Sequence, residues 1–362
     1  MRVLDESGKV ALVTGATGLL GGEIAVALMK RGWSVRAIAR AGDNREAARR
    51  LRARLNDSGG GGLMDTPRIL ALAGDVTAES FGLPLNSQND VDTIIHCAGE
   101  TSFKDAGRCW NTNVGAARRL IEFVRRMARR PKVFFVSTAS VCLGPKHSEV
   151  AEDAGFNGYE NGYTRSKRHA ERLIAESGLD VIVVRPSIVL SRGVRSRRMA
   201  RSILWVIPVM RSLGDVPIDP DAQVDMVPVD YTADVISRLV SKDSLRYRNY
   251  HISAGRAAAP TCSEIIETVR REDRSYGRIR LAGPASSVSG LRTAKDWRSG
   301  RALMAALNYY APFLNADVVY SNRRASEELG AEMPQCSKAT RYINELMRRF
   351  SPQEAVAESV NP

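Results

Sequence analysis

The sequence predicts an α/β protein built on a doubly wound parallel sheet, with a smaller, mostly helical domain contributed by later parts of the chain. Three observations predict this fold class. Short apolar runs alternate with helical patterns, a glycine-rich segment separates the first run from the first helix, and 44% of the 362 residues are hydrophobic. Such a composition is typical of a chain that buries a core.

The predicted elements follow one another as βαβ units. Strands are predicted at residues 10–13, 34–39, 69–73, 92–96, 133–137, 181–185, 226–229 and 250–253. Helices are predicted from the glycine-rich segment to residue 30 and at residues 44–55, 113–129, 163–176 and 231–241, and residues 56–65 are predicted to form a mobile loop. The alternation breaks elsewhere. We therefore expect one domain from residues 1–190 plus 226–255, and a second from residues 191–225 plus 256–362 over the carboxyl ends of the strands.

The segment TGATGLLG, residues 14–21, holds the first candidate binding residues. Its glycines stand between a strand and a helix, where a glycine turn lets the backbone approach a pyrophosphate at the helix N-terminus. A tight structural turn also uses glycines, but this position at the start of an α/β chain favours a dinucleotide. The candidate contacts are Thr14, Gly15, Thr17, Gly18, Leu19 and Gly21.

The end of the second predicted strand indicates which nicotinamide cofactor binds. An acidic residue there binds the ribose 2′-hydroxyl, whereas an arginine pairs with a 2′-phosphate. This sequence has Arg40, with Arg45 close behind, so we expect NADPH rather than NADH. Asp75 and Val76, after the third strand, are candidates for contact with the adenine, although a Gly-Asp pair also forms plain turns.

Tyr163 and Lys167 form the candidate catalytic pair. Their four-residue spacing puts both side chains on one face of a helix. A nearby ammonium favours the phenolate, so we expect Lys167 to lower the pKa of Tyr163 towards a range useful for proton transfer. The YxxxK pattern also occurs by chance in many proteins. Here it follows a strand whose carboxyl end carries Ser137, Thr138 and Ser140, which favours a catalytic role.

Taken together, these motifs resemble the extended short-chain dehydrogenase/reductase superfamily. The matching segments are, in the superfamily's order, TGATGLLG, GDVT, HCAG, NTNVG, FVSTASV, YTRSK and RPSIV. The resemblance implies a Rossmann-type domain in which the Thr138 hydroxyl helps to hold the substrate oxygen, Tyr163 donates a proton, and Lys167 contacts the nicotinamide ribose and tunes Tyr163. It also implies a cofactor environment formed by Ala98, Gly99, the mainly architectural Asn113, Pro186 and Ser187.

Four segments resemble a narrower group, the thioester reductases and fatty acyl-CoA reductases. They are HCAGETSF, VDMVPVDYTADVI, YHISAG and NYYAPFLNADVVYSN, and they extend the match nearly to the C-terminus. This group includes the terminal reductase domains of carboxylic acid reductases, polyketide synthases and peptide synthetases. Gly99 departs from the pattern, since a second alanine is usual there. No adenylating module or carrier domain precedes the reductase segment, so we expect the activated acyl group to arrive on a separate partner.

The resemblance implies reduction of an acyl thioester by NADPH to an aldehyde, with further reduction to an alcohol left open. The thioester would be carried on coenzyme A or on a carrier protein. The same three residues also serve ketone and aldehyde reductases and sugar-nucleotide epimerases or dehydratases, and some members of the superfamily are non-catalytic NADP-binding regulators. At the level of the sequence these alternatives remain open.

The chain has 53 basic residues against 40 acidic ones, a net charge of +13, and the distribution of this charge indicates which kind of partner binds. A basic surface attracts nucleic acid, anionic membranes and acidic partners alike. The basic residues are spread through the helices without interleaved aromatic side chains, so no nucleic-acid module is expected. Clusters lie at residues 125–132 and 192–211, and the second is expected near the substrate entrance, where coenzyme A phosphates or an acidic carrier protein would bind.

Further features concern location and metals. No apolar stretch is long enough for a membrane span, and the N-terminus has no cleavable signal pattern, so we expect a cytoplasmic protein without an integral membrane segment. The five cysteines are irregularly spaced, which predicts neither a disulfide framework nor a zinc site. His147, His169 and His251 have no metal-ligand spacing, and no metal is expected.

A basic, amphipathic segment at residues 195–213 is a candidate lid over the substrate. Phe103, Met199, Trp205 and Met210 are candidates for the lining of an acyl channel, although ordinary core packing explains them at least as well. His96 stands at a strand end, where we expect contact with the cofactor backbone rather than acid–base chemistry.

Overall fold

The computed structural model describes residues 8–84, 88–102, 105–142, 144–155, 161–191, 207, 210, 215–283 and 311–348. Its strands are, in chain order, β1 Val10–Thr14, β2 Ser34–Ala39, β3 Ile69–Ala73, β4 Thr93–His96, β5 Lys132–Val136, β6 Ser148–Val150, β7 Val181–Pro186, β8 Ile188–Leu190, β9 Asp215–Val216, β10 Met226–Pro228, β11 Asn249–Ile252, β12 Arg280–Leu281 and β13 Val318–Tyr320. Its α-helices are α1 Leu19–Lys30, α2 Asn44–Asp57, α3 Ala106–Cys109, α4 Gly115–Arg126, α5 Gly162–Ala175, α6 Val229–Ser241, α7 Cys262–Glu272, α8 Arg323–Leu329 and α9 Ala339–Arg348.

Seven of these strands form one parallel sheet in the order β3-β2-β1-β4-β5-β7-β11. From β1 the chain moves outwards to β3, returns to β4 on the other side of β1, and continues to β11 at the opposite edge. This is the Rossmann-type doubly wound arrangement, and the predicted fold class is confirmed. All seven carboxyl ends meet at one edge, and such sheets bind ligands where the strand order reverses, here between β1 and β4.

The sheet is buried on both faces because its strands are apolar at successive positions. Ala11 and Val13 of β1 pack in one core cluster with α1, α2 and α6, whereas Leu12 packs in another with α4 and α5. Side chains along a strand point alternately to the two faces, so a strand covered by helices on both sides needs a continuous apolar run. The continuous apolar run of β1 is therefore explained by the helices that cover both faces of the sheet.

One predicted strand does not belong to the main sheet. Met226–Pro228, β10, pairs with β8 in a separate two-stranded parallel sheet. The position beside β7 is taken by β11, which pairs with β7 from Asn249↔Val183 to Ile252↔Pro186. The predicted strand is present here, but its partner was not predicted, because a short apolar run carries no information about its partner.

Two other predicted boundaries also differ. The helix expected at residues 113–129 consists of a π-helical turn, Trp110–Val114, followed by α4, which ends at Arg126. The glycine-rich loop expected at residues 56–65 is shorter, since α2 extends to Asp57 and a 3-10 turn covers Gly61–Asp65.

A second group of buried side chains lies in the later part of the chain. It joins β8, β9 and β10 to α7 and α9, and Met210, a candidate channel residue, is buried within it. This region also contains the short strand pair β9–β12, and a separate buried cluster contains the pair β6–β13; the sequence patterns predicted neither pair. Ala325 and Leu329 of α8 pack instead with the first core cluster, so the proposed division into two domains stays a prediction.

The remaining channel candidates, Phe103, Met199 and Trp205, lie outside the described residues, as does the candidate lid at residues 195–213 apart from Ile207 and Met210. None of the helices in the described ranges combines the length and apolar character that a bilayer span requires.

Candidate active site

The glycine turn between β1 and α1 is sterically closed to side chains. Gly15 has a φ of +71°, and a Cβ there would lie 2.7 Å from the backbone nitrogen of Ala98. A Cβ on Gly21 would clash with the Gly15 carbonyl oxygen, and one on Gly18 would lie 3.0 Å from it. The turn closes with a 2.8 Å hydrogen bond from the Gly18 nitrogen to that same oxygen. Each glycine is therefore needed by the turn itself.

The beginning of α1 is suited to an anion. Gly18 is its N-cap, no side chain accepts from its first backbone N–H groups, and its first turn contains no acidic residue. Gly18 is exposed, with Thr17 and Leu19 half-buried beside it. Free N–H groups and the positive end of the helix dipole attract a phosphate, which fits the pyrophosphate of a dinucleotide.

Thr14 connects β1 to β4 beneath this turn. Its buried hydroxyl accepts a 3.1 Å hydrogen bond from the Ala98 nitrogen and lies 3.1 Å from Nδ1 of His96. Burial, with a smaller contribution from the charge of Lys167, lowers the pKa of His96 to about 3. Because the ring stays neutral at physiological pH and stacks on Phe135 at 5.6 Å between centroids, His96 is suited to structural support rather than proton transfer.

Arg40 directly follows β2 and is exposed, close enough to Asp75 for its charge to act on that carboxylate. Burial alone would raise the pKa of Asp75, but hydrogen bonds from the Thr77 N–H and hydroxyl, together with Arg40, lower it overall. Asp75 thus forms a turn at the cofactor edge, while Val76 packs in the core.

Arg50 is a residue that sequence reasoning missed. Its Nη1 donates a 2.6 Å hydrogen bond to the carbonyl oxygen of Arg40, which brings a second exposed guanidinium to the end of β2. A pair of guanidinium groups fits a 2′-phosphate better than one alone. The only signal was the periodicity of α2, and periodicity does not show which strand end a helix residue reaches.

Tyr163 and Lys167 lie in the first turns of α5, which a capping box between Asn161 and Thr164 begins at a defined residue. The side chain of Thr138, just after β5, lies close enough to the Tyr163 hydroxyl to act on its pKa. Lys167 is buried, and its Nζ donates a 2.9 Å hydrogen bond to the Val136 carbonyl oxygen. The structure thus brings together the three predicted catalytic side chains at the carboxyl edge of the sheet.

The expected effect of Lys167 on Tyr163 is not observed, and that prediction was wrong. Burial raises the pKa of Tyr163 above its ordinary value, and the Thr138 side chain offsets only part of the rise. Burial also lowers the pKa of Lys167. Desolvation disfavours the charged form of both groups, so in this structure Tyr163 is a neutral phenol, suited to donating a proton.

Asn113 connects this helix to the loop after β4. From the π-helical turn, its side-chain amide donates to the Glu100 carbonyl oxygen at 2.9 Å, accepts from the Glu100 nitrogen at 2.8 Å, and donates to Ser166 Oγ at 2.8 Å. Ser166 in turn donates to the Tyr163 carbonyl oxygen at 2.7 Å. This chain of bonds makes the role of Asn113 architectural.

Gly99 lies where this loop meets Lys167. A Cβ at Gly99 would lie 2.9 Å from Asn113 Oδ1 and 3.2 Å from Lys167 Nζ. Both atoms are held by other hydrogen bonds, so neither moves easily. The departure from alanine at this position therefore has a steric reason in this chain.

The turn after Thr138 is held from the C-terminal part of the chain. The Ser140 nitrogen donates a 3.3 Å hydrogen bond to Thr138 Oγ1, and the Ser140 side chain hydrogen-bonds with Tyr320 of β13. The buried Ser137 Oγ has no partner among the described residues, and it is a polar atom that a bound cofactor can satisfy.

Of the other residues that the sequence analysis considered, two lie at the same edge of the sheet as Thr138, Tyr163 and Lys167, and two lie elsewhere. Pro186 ends β7, and the Ser187 nitrogen donates to the Ile252 carbonyl oxygen at 3.0 Å, so both lie at the same edge of the sheet. Elsewhere, His147 pairs with Asp317 at 2.8 Å, and His169 contacts Trp110. Across the described ranges no group of three or more His, Cys, Asp or Glu residues is arranged to hold a metal ion.

Comparisons with known proteins agree with this geometry. The model of an NAD-binding family, described as male sterility protein, matches residues 13–236. The nonribosomal peptide synthetase asaC of Aspergillus flavus is 29% identical over 270 residues, a match that covers 68% of this chain and 26% of that protein. A carboxylic acid reductase of Segniliparus rugosus is 24% identical over 383 residues, covering 91% of this chain and 32% of that protein. The chain thus spans only about a quarter to a third of these relatives.

Among solved structures, the terminal R domain from the myxalamid PKS-NRPS biosynthetic pathway superposes with a TM-score of 0.78 at 23% sequence identity. The match covers 94% of this chain and 90% of that domain. At this level of identity the likeness shows that the fold is shared.

Proposed function

The chain belongs to the NAD-binding family of male sterility proteins, and from this premise we propose that it reduces an acyl thioester with NADPH and releases an aldehyde. The thioester is carried on coenzyme A or on the phosphopantetheine arm of a carrier protein. The observation that carries the proposal is that Thr138, Tyr163 and the buried Lys167 come together at the carboxyl edge of the sheet.

Thr138 and Tyr163 bind the thioester oxygen and stabilise the negative charge that develops on it in the transition state. Bound NADPH supplies the hydride for the carbonyl carbon. Tyr163 then gives its proton to the oxygen, a role supported by burial, which raises its pKa and keeps it protonated. The resulting thiohemiacetal collapses to an aldehyde and a free thiol.

Lys167 orients this pair and supports the cofactor. Its hydrogen bond to the Val136 carbonyl keeps the ammonium at the end of β5, beside the loop that begins at Ala98 and Gly99. Asn113 and Ser166 hold that loop against α5. A rigid arrangement of this kind keeps reacting groups in a productive geometry without reorganisation during the reaction.

The preference for NADPH rests on Arg40 and Arg50. Arg40 directly follows β2, at the position where an acidic residue would bind a ribose 2′-hydroxyl, and Arg50 lies beside it. Arg50 also pairs with Glu46 at 2.5 Å, so Arg40 supplies the main positive charge that favours a 2′-phosphate.

The proposal is tested by NADPH consumption with three sets of substrates and product identification by mass. The sets are acyl-coenzyme A thioesters, the same acyl groups on a phosphopantetheinylated carrier protein, and the matching free aldehydes. Aldehyde release from one of the thioester sets is the expected result. Consumption with free aldehydes alone assigns a plain aldehyde reductase, and purification with tightly bound NAD assigns an epimerase, so either result overturns the proposal.

Tyr163→Phe separates chemistry from binding. We expect turnover to fall by about 10²- to 10⁴-fold, the usual contribution of a positioned proton donor, with little change in NADPH affinity. Tyr247→Phe is a matched control, because the Tyr247 hydroxyl bonds Glu327 at the surface and is remote from this edge. A near wild-type rate for Tyr163→Phe contradicts the assignment.

A further inference from the structure

Arg54 crosses from α2 to the glycine turn and is buried there. Its Nε donates a 2.7 Å hydrogen bond to the Gly18 carbonyl oxygen, and its Nη2 donates a 2.6 Å bond to the Leu19 carbonyl oxygen. Nη2 also lies 3.2 Å from Oε1 of Glu23. The side chains of Arg54 and Glu23 are only 3% and 9% exposed, so this is a desolvated ion pair directly behind the N-terminus of α1.

Gly22 shows how closely Arg54 packs against this helix. A Cβ at Gly22 would lie 2.7 Å from both Cγ and Nε of Arg54. The Cβ would also lie 3.1 Å from the Ala16 carbonyl oxygen, so both Arg54 and the backbone of the turn favour glycine at residue 22. Gly22, which directly follows the glycine-rich segment, and the buried guanidinium form one packed unit.

The bonds of Arg54 act on the groups that define the first turn of α1. The Gly18 carbonyl accepts the first backbone bond of the helix, from the Gly22 nitrogen, at a long 3.3 Å. Arg54 supplies a second and shorter bond to that oxygen and holds the next carbonyl as well. Fixing these carbonyls orients the N–H groups of the same turn, and a cation near them adds to the positive end of the helix dipole.

We propose that Arg54 is a positioning residue for the cofactor pyrophosphate, which acts by orienting the glycine turn and by adding positive charge behind it, and that Glu23 moderates this charge. The proposal rests on the dinucleotide binding within the proposed function and is independent of the reduction step. This pair would differ from a purely structural ion pair in one respect: Arg54 raises the affinity for the anion, whereas Glu23 lowers it.

The test is a direct titration of the intact protein with NADPH, in which binding is measured from the fluorescence of NADPH. Arg54→Met keeps an unbranched, flexible side chain but removes the charge and the donors, and we expect NADPH to bind roughly 5- to 30-fold more weakly, the range of charge effects at a partly buried helix terminus. Glu23→Gln removes the negative charge beside Arg54, and we expect tighter binding. Arg52→Met is the matched control on the same helix, since Arg52 pairs with Asp65 at the exposed surface, and we expect no change.

A second ligand distinguishes a local effect from general damage. Adenosine 2′-monophosphate carries the 2′-phosphate but no 5′-phosphate, so its affinity should be the same in the Arg54→Met variant and in the wild type. Equal losses for NADPH and this fragment would show that Arg54 only supports the fold, and weaker NADPH binding by Glu23→Gln would show that the pair is structural. Either result overturns the proposal.

Arg54→Lys keeps the comparison possible if Arg54→Met does not fold. Lysine retains the charge but cannot make the two carbonyl bonds in the same geometry, so we expect an intermediate affinity for NADPH. Wild-type affinity of the Arg54→Lys variant for NADPH would overturn the positioning role. Normal NADPH binding without reduction of any thioester would reject the proposed function and leave this inference intact.

Discussion

Replacing Glu171 by glutamine is expected to destabilise the protein severely. Arg185 of β7 bonds both carboxylate oxygens of Glu171 on α5, at 3.1 Å to Oε1 and 2.7 Å to Oε2, and its Nη1 donates to the Glu152 carbonyl oxygen at 3.2 Å. The two side chains are 7% and 4% exposed. Glutamine has the same size as glutamate, so the substitution removes the charge without leaving a cavity.

The magnitude follows from burial. Removing one partner of a buried ion pair costs about 3–5 kcal/mol. Because the charge of Glu152 also acts on Arg185, we expect Glu171→Gln to fall at the lower end of that range. Domains are usually stable by only about 5–15 kcal/mol, so Glu171→Gln should remove a large share of the free energy of unfolding. Because α5 also carries Tyr163 and Lys167, the pair anchors the catalytic helix to the sheet.

The assay is urea unfolding followed by fluorescence, with the midpoint and slope compared between variants. Glu122→Gln is the matched control, since Glu122 pairs with Arg119 at the surface with exposures of 53% and 41%, and its loss should cost less than about 1 kcal/mol. Replacing both buried partners, with Glu171→Leu and Arg185→Met, should recover most of the lost stability. The reasoning is refuted if Glu171→Gln costs no more than the control, or if the double replacement costs as much as both single losses together.

Three further predictions concern the site and its surroundings. Burial lowers the pKa of both His96 and His251 to about 3, so on acidification below pH 6.5 the unfolded chain takes up protons that the folded protein does not. The free energy of unfolding should therefore fall by about 1.4 kcal/mol per pH unit for each ring, and an unchanged pH slope in urea unfolding of His96→Gln contradicts this. Gly99→Ala should lower kcat about tenfold, because the new Cβ crowds Lys167. Gly115→Ala, with open space around its Cβ, is the control and should not change kcat; equal rates for the two variants would show that the loop at Gly99 moves to make room for the methyl group. Arg40→Asp should weaken NADPH binding about tenfold or more and leave NADH binding nearly unchanged, as a titration with both cofactors measures, and a retained preference for NADPH rules out its role.

Much of the fold could be predicted because its signals are local. The apolar run of β1, the glycines of the turn and the periodicity of α1 involve residues within a few positions of one another, and the structure has these elements within a residue or two of the predicted boundaries. The four-residue spacing of Tyr163 and Lys167 is likewise a property of one helix. The role of these site residues in catalysis stays a prediction that the variants above test.

Errors occurred where a feature depends on distant partners. The sign of the pKa shift of Tyr163 was wrong, because spacing along the helix shows a neighbouring lysine but not the burial that outweighs it. The pairing of β10 with β8 was not predicted, because strand partners are set by the geometry of the whole sheet. Arg50 was missed for the same reason, since it reaches Arg40 only after α2 packs on the sheet.

Periodicity and glycine spacing determine the order of strands and helices and the position of the turn between β1 and α1, because these are interactions between close neighbours in the chain. Only the tertiary structure decides what surrounds each polar group. Arg54 lies 36 residues from Gly18 in the chain, and nothing in its local sequence distinguishes it from the other arginines of α2. Once folded, it is a desolvated cation behind the glycine turn, because packing determines which charges lose their water and which partners replace it.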